Sequence, residues 1–97
     1  MKHSYELTVI VRLDPNEEVV NNAINQVQQW VEAGGQGSVT KLDRWGKRKL
    51  AYEINKQRDG YYILMLADLE GDALPELERN LKLSADVVRY LLIRAGT

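Results

Sequence analysis

From His3 to Arg12 the side chains alternate with a period of two. Tyr5, Leu7, Val9 and Val11 fall on one face, Glu6, Thr8, Ile10 and Arg12 on the other. The pattern predicts a first strand covered on one side. Asp14-Pro15-Asn16-Glu17 then reads as a helix start, with Asp14 as the cap, Pro15 at the first helical position and Glu17 at the positive end. Val20, Ala23, Ile24, Val27, Trp30 and Val31 recur at intervals of three and four, opposite Asn21, Asn22, Asn25, Gln28 and Gln29. Gly34-Gly35 supplies the left-handed backbone that ends the helix.

A long charged strand is expected over Ser38 to Ile54. Val39 and Leu42 lie on opposite parities there, so a bulge near Asp43 is needed to bring them to one face. Leu50, Tyr52 and Ile54 restore the alternation after Gly46. Asn55 to Gly60 reads as a polar turn, tightest at Asp59-Gly60, and Tyr61 to Leu69 is apolar enough for a central strand. Gly71-Asp72 opens a second helix, capped by Asp72, with Leu74, Leu77 and Leu81 inward and Pro75 in the first turn. Val87 to Arg94 forms the last strand, with Val88, Tyr90 and Leu92 on one face and Val87, Leu91 and Ile93 on the other.

The order β-α-β-β-α-β predicts an α+β fold, a ferredoxin-like sandwich of a four-stranded antiparallel sheet with both helices on one face. A length of 97 residues suits one domain over residues 1–97. A chain of that size hides about 65% of its unfolded surface, enough for a core without staples. Cysteine is absent, which excludes disulfides, thiolate zinc sites and cysteine nucleophiles. The polar start Met1-Lys2-His3-Ser4-Tyr5-Glu6 lacks the apolar run of a signal peptide, and no stretch has membrane-spanning length. A cytoplasmic protein is expected.

Charge changes the picture once it is divided along the chain. Residues 41–58 hold seven cations, Lys41, Arg44, Lys47, Arg48, Lys49, Lys56 and Arg58, against Asp43 and Glu53, a net +5. The rest of the chain carries a net −6, so the overall −1 conceals a basic segment. Trp45-Gly46-Lys47-Arg48-Lys49 sets an indole beside three cations. Lysine and arginine neutralise phosphates, an arginine fork grips one, and Trp45 or Tyr52 offers a stacking surface. A solvated charged face is the competing reading.

Catalytic chemistry has little to work with. The only histidine, His3, sits at the chain start as an ordinary strand residue. Glu17-Glu18 and the Glu76/Glu78 pair suit helix N-termini. Gly34, Gly35 and Gly37 are turn residues, lacking the lysine and helix start of a phosphate loop. Tyr61, Tyr62 and Tyr90 read as packing residues, and Gly60-Tyr61-Tyr62-Ile63-Leu64 does not match the aromatic signature of an RNA-recognition motif. No metal or cofactor is expected.

Trp45-Gly46-Lys47-Arg48-Lys49-Leu50-Ala51-Tyr52-Glu53-Ile54 resembles the signature of the bacterial small-subunit ribosomal protein S-six family, a glycine, basic residues and Leu-Ala-Tyr-x-Ile. The resemblance extends to Tyr5-Glu6, Asp14-Pro15, Gly60-Tyr61-Tyr62 and the segment Leu81 to Tyr90. It implies a non-enzymatic protein that is a monomer when isolated. It also implies binding to the central domain of small-subunit rRNA as a heterodimer with ribosomal protein S-eighteen. Carried onto matching positions, it makes Arg44, Lys47, Arg48 and Lys49 the RNA-facing residues, with Arg48 foremost, joined by Lys2, Arg89 and Arg94. Gly46 is expected to shape the entry to the strand, while Leu50, Ala51, Tyr52 and Ile54 hold the motif against the core. The chain departs from the family at Glu53, where many relatives carry proline, and at Arg94-Ala95-Gly96-Thr97, where many continue into a tail that embraces the partner. Two rival readings of the fold are a dimeric α+β barrel enzyme using His3 and a ligand-sensing module.

Overall fold

The alternate apolar residues of the first strand, β1 (Lys2–Val11), are all buried, as their spacing requires. The structure, a computed structural model, describes residues 2–35, 37–54 and 57–95. After β1 come α1 (Glu17–Glu32), β2 (Gly37–Ile54), β3 (Gln57–Glu70), α2 (Leu74–Leu83) and β4 (Val87–Arg94). The sheet order is β2-β3-β1-β4, every neighbouring pair antiparallel. This is the expected ferredoxin-like α+β arrangement.

Tyr5, Leu7 and Val9 of β1 pair with Ala67, Met65 and Ile63 of β3, and Val11 and Leu69 extend the same buried face. Val20, Ala23, Ile24, Val27 and Val31 from α1 and Leu77 and Leu81 from α2 close over them. Both helices therefore cover one face of the sheet. The other face carries Thr8, Ile10, Tyr62, Leu64, Leu66, Leu91 and Ile93 and has no layer above it among the described residues.

The caps differ from expectation. Asn16, not Asp14, caps α1: its Oδ1 accepts from the Glu18 amide at 2.9 Å. Asp14 stabilises the preceding turn instead, accepting from the Asn16 amide at 2.9 Å and from Arg12 Nη1 at 3.1 Å. The Asn16 amide, then the Arg12 guanidinium, hold the Asp14 carboxyl below its ordinary range. Pro15 thus precedes the cap. A 3-10 turn, Ala33–Gly35, follows α1, and Gly35 takes the expected left-handed backbone at φ 71°.

Asp72 does not cap α2, because it lies inside a 3-10 turn, Gly71–Ala73, and the N-cap is Ala73 with no side-chain bond. A missing cap costs about 1 kcal/mol. Burial of Leu77 and Leu81, each nearly free of solvent, outweighs it at roughly 2 kcal/mol apiece.

Register irregularities in β2 and β4 reset the strand faces. In β2 the register slips between Val39 and Lys41 and between Arg44 and Gly46, so Thr40 and Trp45 are the extra residues. The bulge expected near Asp43 is therefore two bulges flanking it, and Asp43 itself pairs with Leu64. The first of them, at Thr40, brings Val39 and Leu42 to one face, against the core. In β4 the register slips opposite Ile10 and Val11, leaving Val88 unmatched. Val87, expected on the far face, thereby packs on the core with Tyr90 and Leu92.

Asp59-Gly60 is not a turn: Asp59 pairs with Lys49 and Gly60 with Arg48 inside the β2–β3 ladder. Gly60 is instead a close-approach site. A Cβ there would collide with Ile10 Cγ2 and touch Leu50 Cδ2 at 3.5 Å. The side-chain packing expected of Ala51, Tyr52 and Ile54, and the placement of Asn55, Lys56, Gly96 and Thr97, lie outside the described residues.

Candidate nucleic-acid interface

β2 is an edge strand, and the basic run lies on the half of it nearest the β2–β3 connection. Residues on an edge strand have a neighbour on one side only, so long cations there extend into solvent without burial. Lys47, Arg48 and Lys49 are exposed, and among the described residues no carboxylate lies within ion-pair distance of them. Lys41 is paired with Asp43 at 3.5 Å.

The ladder divides the run between two faces. Arg44 pairs with Ile63 and Lys47 with Tyr61, both on the helix side, and Arg44 Nη1 donates to Asn21 Oδ1 of α1 at 2.7 Å. Arg48 is opposite Gly60, whose absent Cβ points toward Ile10 on the open face. Arg48 lies over the Trp45 ring, with Cζ 5.4 Å from the centroid. Two faces of one strand can thus meet two segments of a folded polyanion.

Gly46 shapes this stretch through the bulge, with φ 85° and nothing within 4 Å of where a Cβ would stand. Only backbone strain then opposes a side chain. Gly46→Ala is expected to destabilise by about 1 kcal/mol, read as a lowered urea midpoint. A loss under a few tenths would show that the bulge relaxes.

Of the remaining expected cations, Arg89 aligns with Ile10, Tyr62 and Gly46 in one row across the sheet. It is three strand spacings from β2, roughly 14 Å. Lys2 and Arg94 stand at the other end. Lys2 pairs with Glu70, eight residues along β1 from Ile10 and roughly 27 Å away. Arg94 aligns with Tyr5, and its Nη2 donates to His3 Nδ1 at 2.7 Å. The fold gathers Arg44, Lys47, Arg48 and Lys49, brings Arg89 onto the same end, and leaves Lys2 and Arg94 apart.

Arg12 has a structural task that sequence spacing did not reveal. Its Nε donates to Asp86 Oδ1 at 2.7 Å, its Nη1 to Asp14, and its amide to the Asp86 carbonyl at 2.8 Å. It ties the end of β1 to the α2–β4 junction. Tyr90 of β4 packs on the core and donates its hydroxyl to Glu78 Oε1 at 3.3 Å. Desolvation first, then the Glu78 charge, push its phenol above the ordinary value. The folded state therefore keeps the proton at pH values where the unfolded chain releases it. Stability should fall as pH rises above about 10. In Tyr90→Phe that alkaline decline should flatten, as measured by denaturant titration from pH 8 to 11.5; an unchanged slope would contradict it.

Among the described residues, no group of histidine, aspartate and glutamate is placed to hold a metal, and no helix is long and apolar enough to cross a membrane. The layout defines a ferredoxin-like protein whose charge is arranged along one bulged sheet edge, separate from a core complete without it. A family model described as Ribosomal protein S6 matches residues 4–94. The chain belongs to that family of small ribosomal subunit proteins and is not an enzyme. Small ribosomal subunit protein bS6 of Desulforamulus reducens is 44% identical over 93 residues, covering 96% of this chain and 97% of that one. The bS6 of Carboxydothermus hydrogenoformans is 42% identical over 94 residues, 97% of each. The crystal structure of 30S ribosomal protein S6 from Thermotoga maritima superposes with a TM-score of 0.88 at 30% identity, covering 97% of this chain and 88% of that one. Membership places the chain at the ribosome, in the cytoplasm.

Proposed function

We propose that this chain binds the central domain of small-subunit rRNA as a heterodimer with ribosomal protein S-eighteen, being a monomer by itself. The observation that carries the reading is the exposed Lys47-Arg48-Lys49 run, which has no carboxylate within ion-pair distance among the described residues of an otherwise acidic chain. Cations kept apart from the protein's own carboxylates remain available to phosphates, and releasing RNA counterions supplies the driving force. The protein acts as a scaffold: it reads shape, through a rigid edge, more than sequence.

The open sheet face supports a site for the partner. Leu91 and Ile93 are 58% and 49% exposed there, beside half-buried Leu64 and Leu66. Glu6, Asp68 and the Lys41-paired Asp43 share that face with Arg48 and Arg89, so it offers a partner an apolar centre with a rim of both charges. S-eighteen covering this face would add its positive charge next to the basic edge.

The test is a salt-titrated gel shift on a central-domain rRNA fragment, with and without S-eighteen. Partner-dependent binding that weakens steeply with salt is expected, and Leu91→Asp should abolish capture of S-eighteen. Binding that is flat with salt, or a stable homodimer that ignores S-eighteen, would overturn the reading.

A further inference from the structure

Trp45 is a large aromatic residue that the fold does not use. It is the extra residue of the second β2 bulge, between the pairs Arg44 with Ile63 and Gly46 with Tyr62, so it has no cross-strand partner. It lies outside the buried cluster and outside the half-buried residues packed on that cluster. The other large hydrophobics exposed among the described residues, Leu83, Leu91 and Ile93, are aliphatic. An exposed indole forgoes burial worth roughly 2 kcal/mol or more, and the left-handed Gly46 keeps it in that position.

Arg48 lies over one face of the ring at 5.4 Å. A guanidinium over the ring holds it by a cation–π contact, and its N–H donors are available to a phosphate. Trp45 remains 44% exposed with Arg48 in place, which leaves aromatic surface open to a second planar group. Arg44, Lys47 and Lys49 surround it in sequence. An aromatic surface amid cations suits a nucleotide: the base has a π-face and the chain beside it carries charge.

We propose that Trp45, backed by Arg48, is a stacking platform for one unpaired nucleobase of the bound RNA, with the Arg48 fork on a neighbouring phosphate. The proposal rests on the RNA-binding reading above. Side chains cannot stack on bases inside an A-form helix, so the target is a bulged, looped or junction nucleotide.

The heterodimer is tested on the central-domain rRNA fragment and, as a backbone-charge control, on inorganic polyphosphate. Trp45→Leu should weaken RNA binding about tenfold, the lower part of the range for one base stack, and leave polyphosphate binding unchanged. Trp45→Phe should restore most of the loss. With Trp30→Phe removing the other tryptophan of this chain, the emission that Trp45→Phe further abolishes should be quenched by RNA and not by polyphosphate.

If Trp45→Leu binds RNA as tightly as wild type while Arg48→Ala does not, the contact is phosphate only. The platform is then overturned and the RNA-binding reading stands. If Trp45→Leu loses S-eighteen in the absence of RNA, the indole is a protein contact and the platform is likewise overturned. If wild-type heterodimer binds no RNA, both readings fall.

Discussion

Gly37→Ala is expected to lower the free energy of unfolding by about 3 kcal/mol, the upper end for an overpacked site. Gly37 starts β2 where the chain passes under the last turn of α1. A Cβ there would collide with the Val31 carbonyl oxygen, lie 2.5 Å from Leu69 Cδ2 and stand 3.3 Å from the Asp68 carbonyl oxygen. Two of those three atoms are backbone, one fixed by a helix and one by the sheet. Leu69 is fully buried and has no space into which to retreat. Relief therefore requires α1 to lift from β3 and open the core around Val27 and Val31. Urea unfolding should show a lower midpoint with the slope unchanged. Gly37→Ala within 0.5 kcal/mol of wild type would mean that α1 is less firmly seated than its contacts imply.

Replacing Lys47, Arg48 and Lys49 together by glutamine should reduce RNA affinity of the heterodimer on the order of 100-fold at moderate salt. Each phosphate contact contributes about 0.7 to 0.9 to the slope of log affinity against log salt, so the triple variant should flatten it by roughly 2. Stability should barely change, because the three side chains are exposed and no ion pair to a described carboxylate is lost. Arg44→Gln is a useful contrast: its guanidinium is engaged with Asn21, so neutralising it should perturb the slope less. An unchanged salt slope in the triple variant would remove β2 from the RNA interface.

These two expectations draw on different levels of the chain. The charge segregation behind the second is countable in the amino-acid order. The faces of β1 and both helices were readable too, because a side-chain period of 2 or 3.6 needs only local sequence. The bulges at Thr40, Trp45 and Val88 were less so. A slip of register is decided by which partner residues it brings into contact, and Val39 and Leu42 of one strand signalled only that some irregularity was required. Asp59-Gly60 looked like a turn because that dipeptide favours turns, yet the space occupied by Ile10 makes the glycine a strand residue. Asp14 looked like a cap because its bond to Arg12, itself held by Asp86, is invisible in local spacing.

The candidate interface divides the same way. By itself, the sequence determined the element order, the apolar faces, the absence of thiol chemistry and the +5 segment, since all depend on residue type and local period. Only the tertiary structure decided which cations stand together. Lys2 and Arg94 are the same kinds of residue as Lys47 and Arg48, but antiparallel pairing carries them to the far end of the sheet. It also decided that Trp45 is left outside the core and that Leu91 and Ile93 face an uncovered side. Burial depends on what long-range pairing places above a residue, and no window along the chain contains that information.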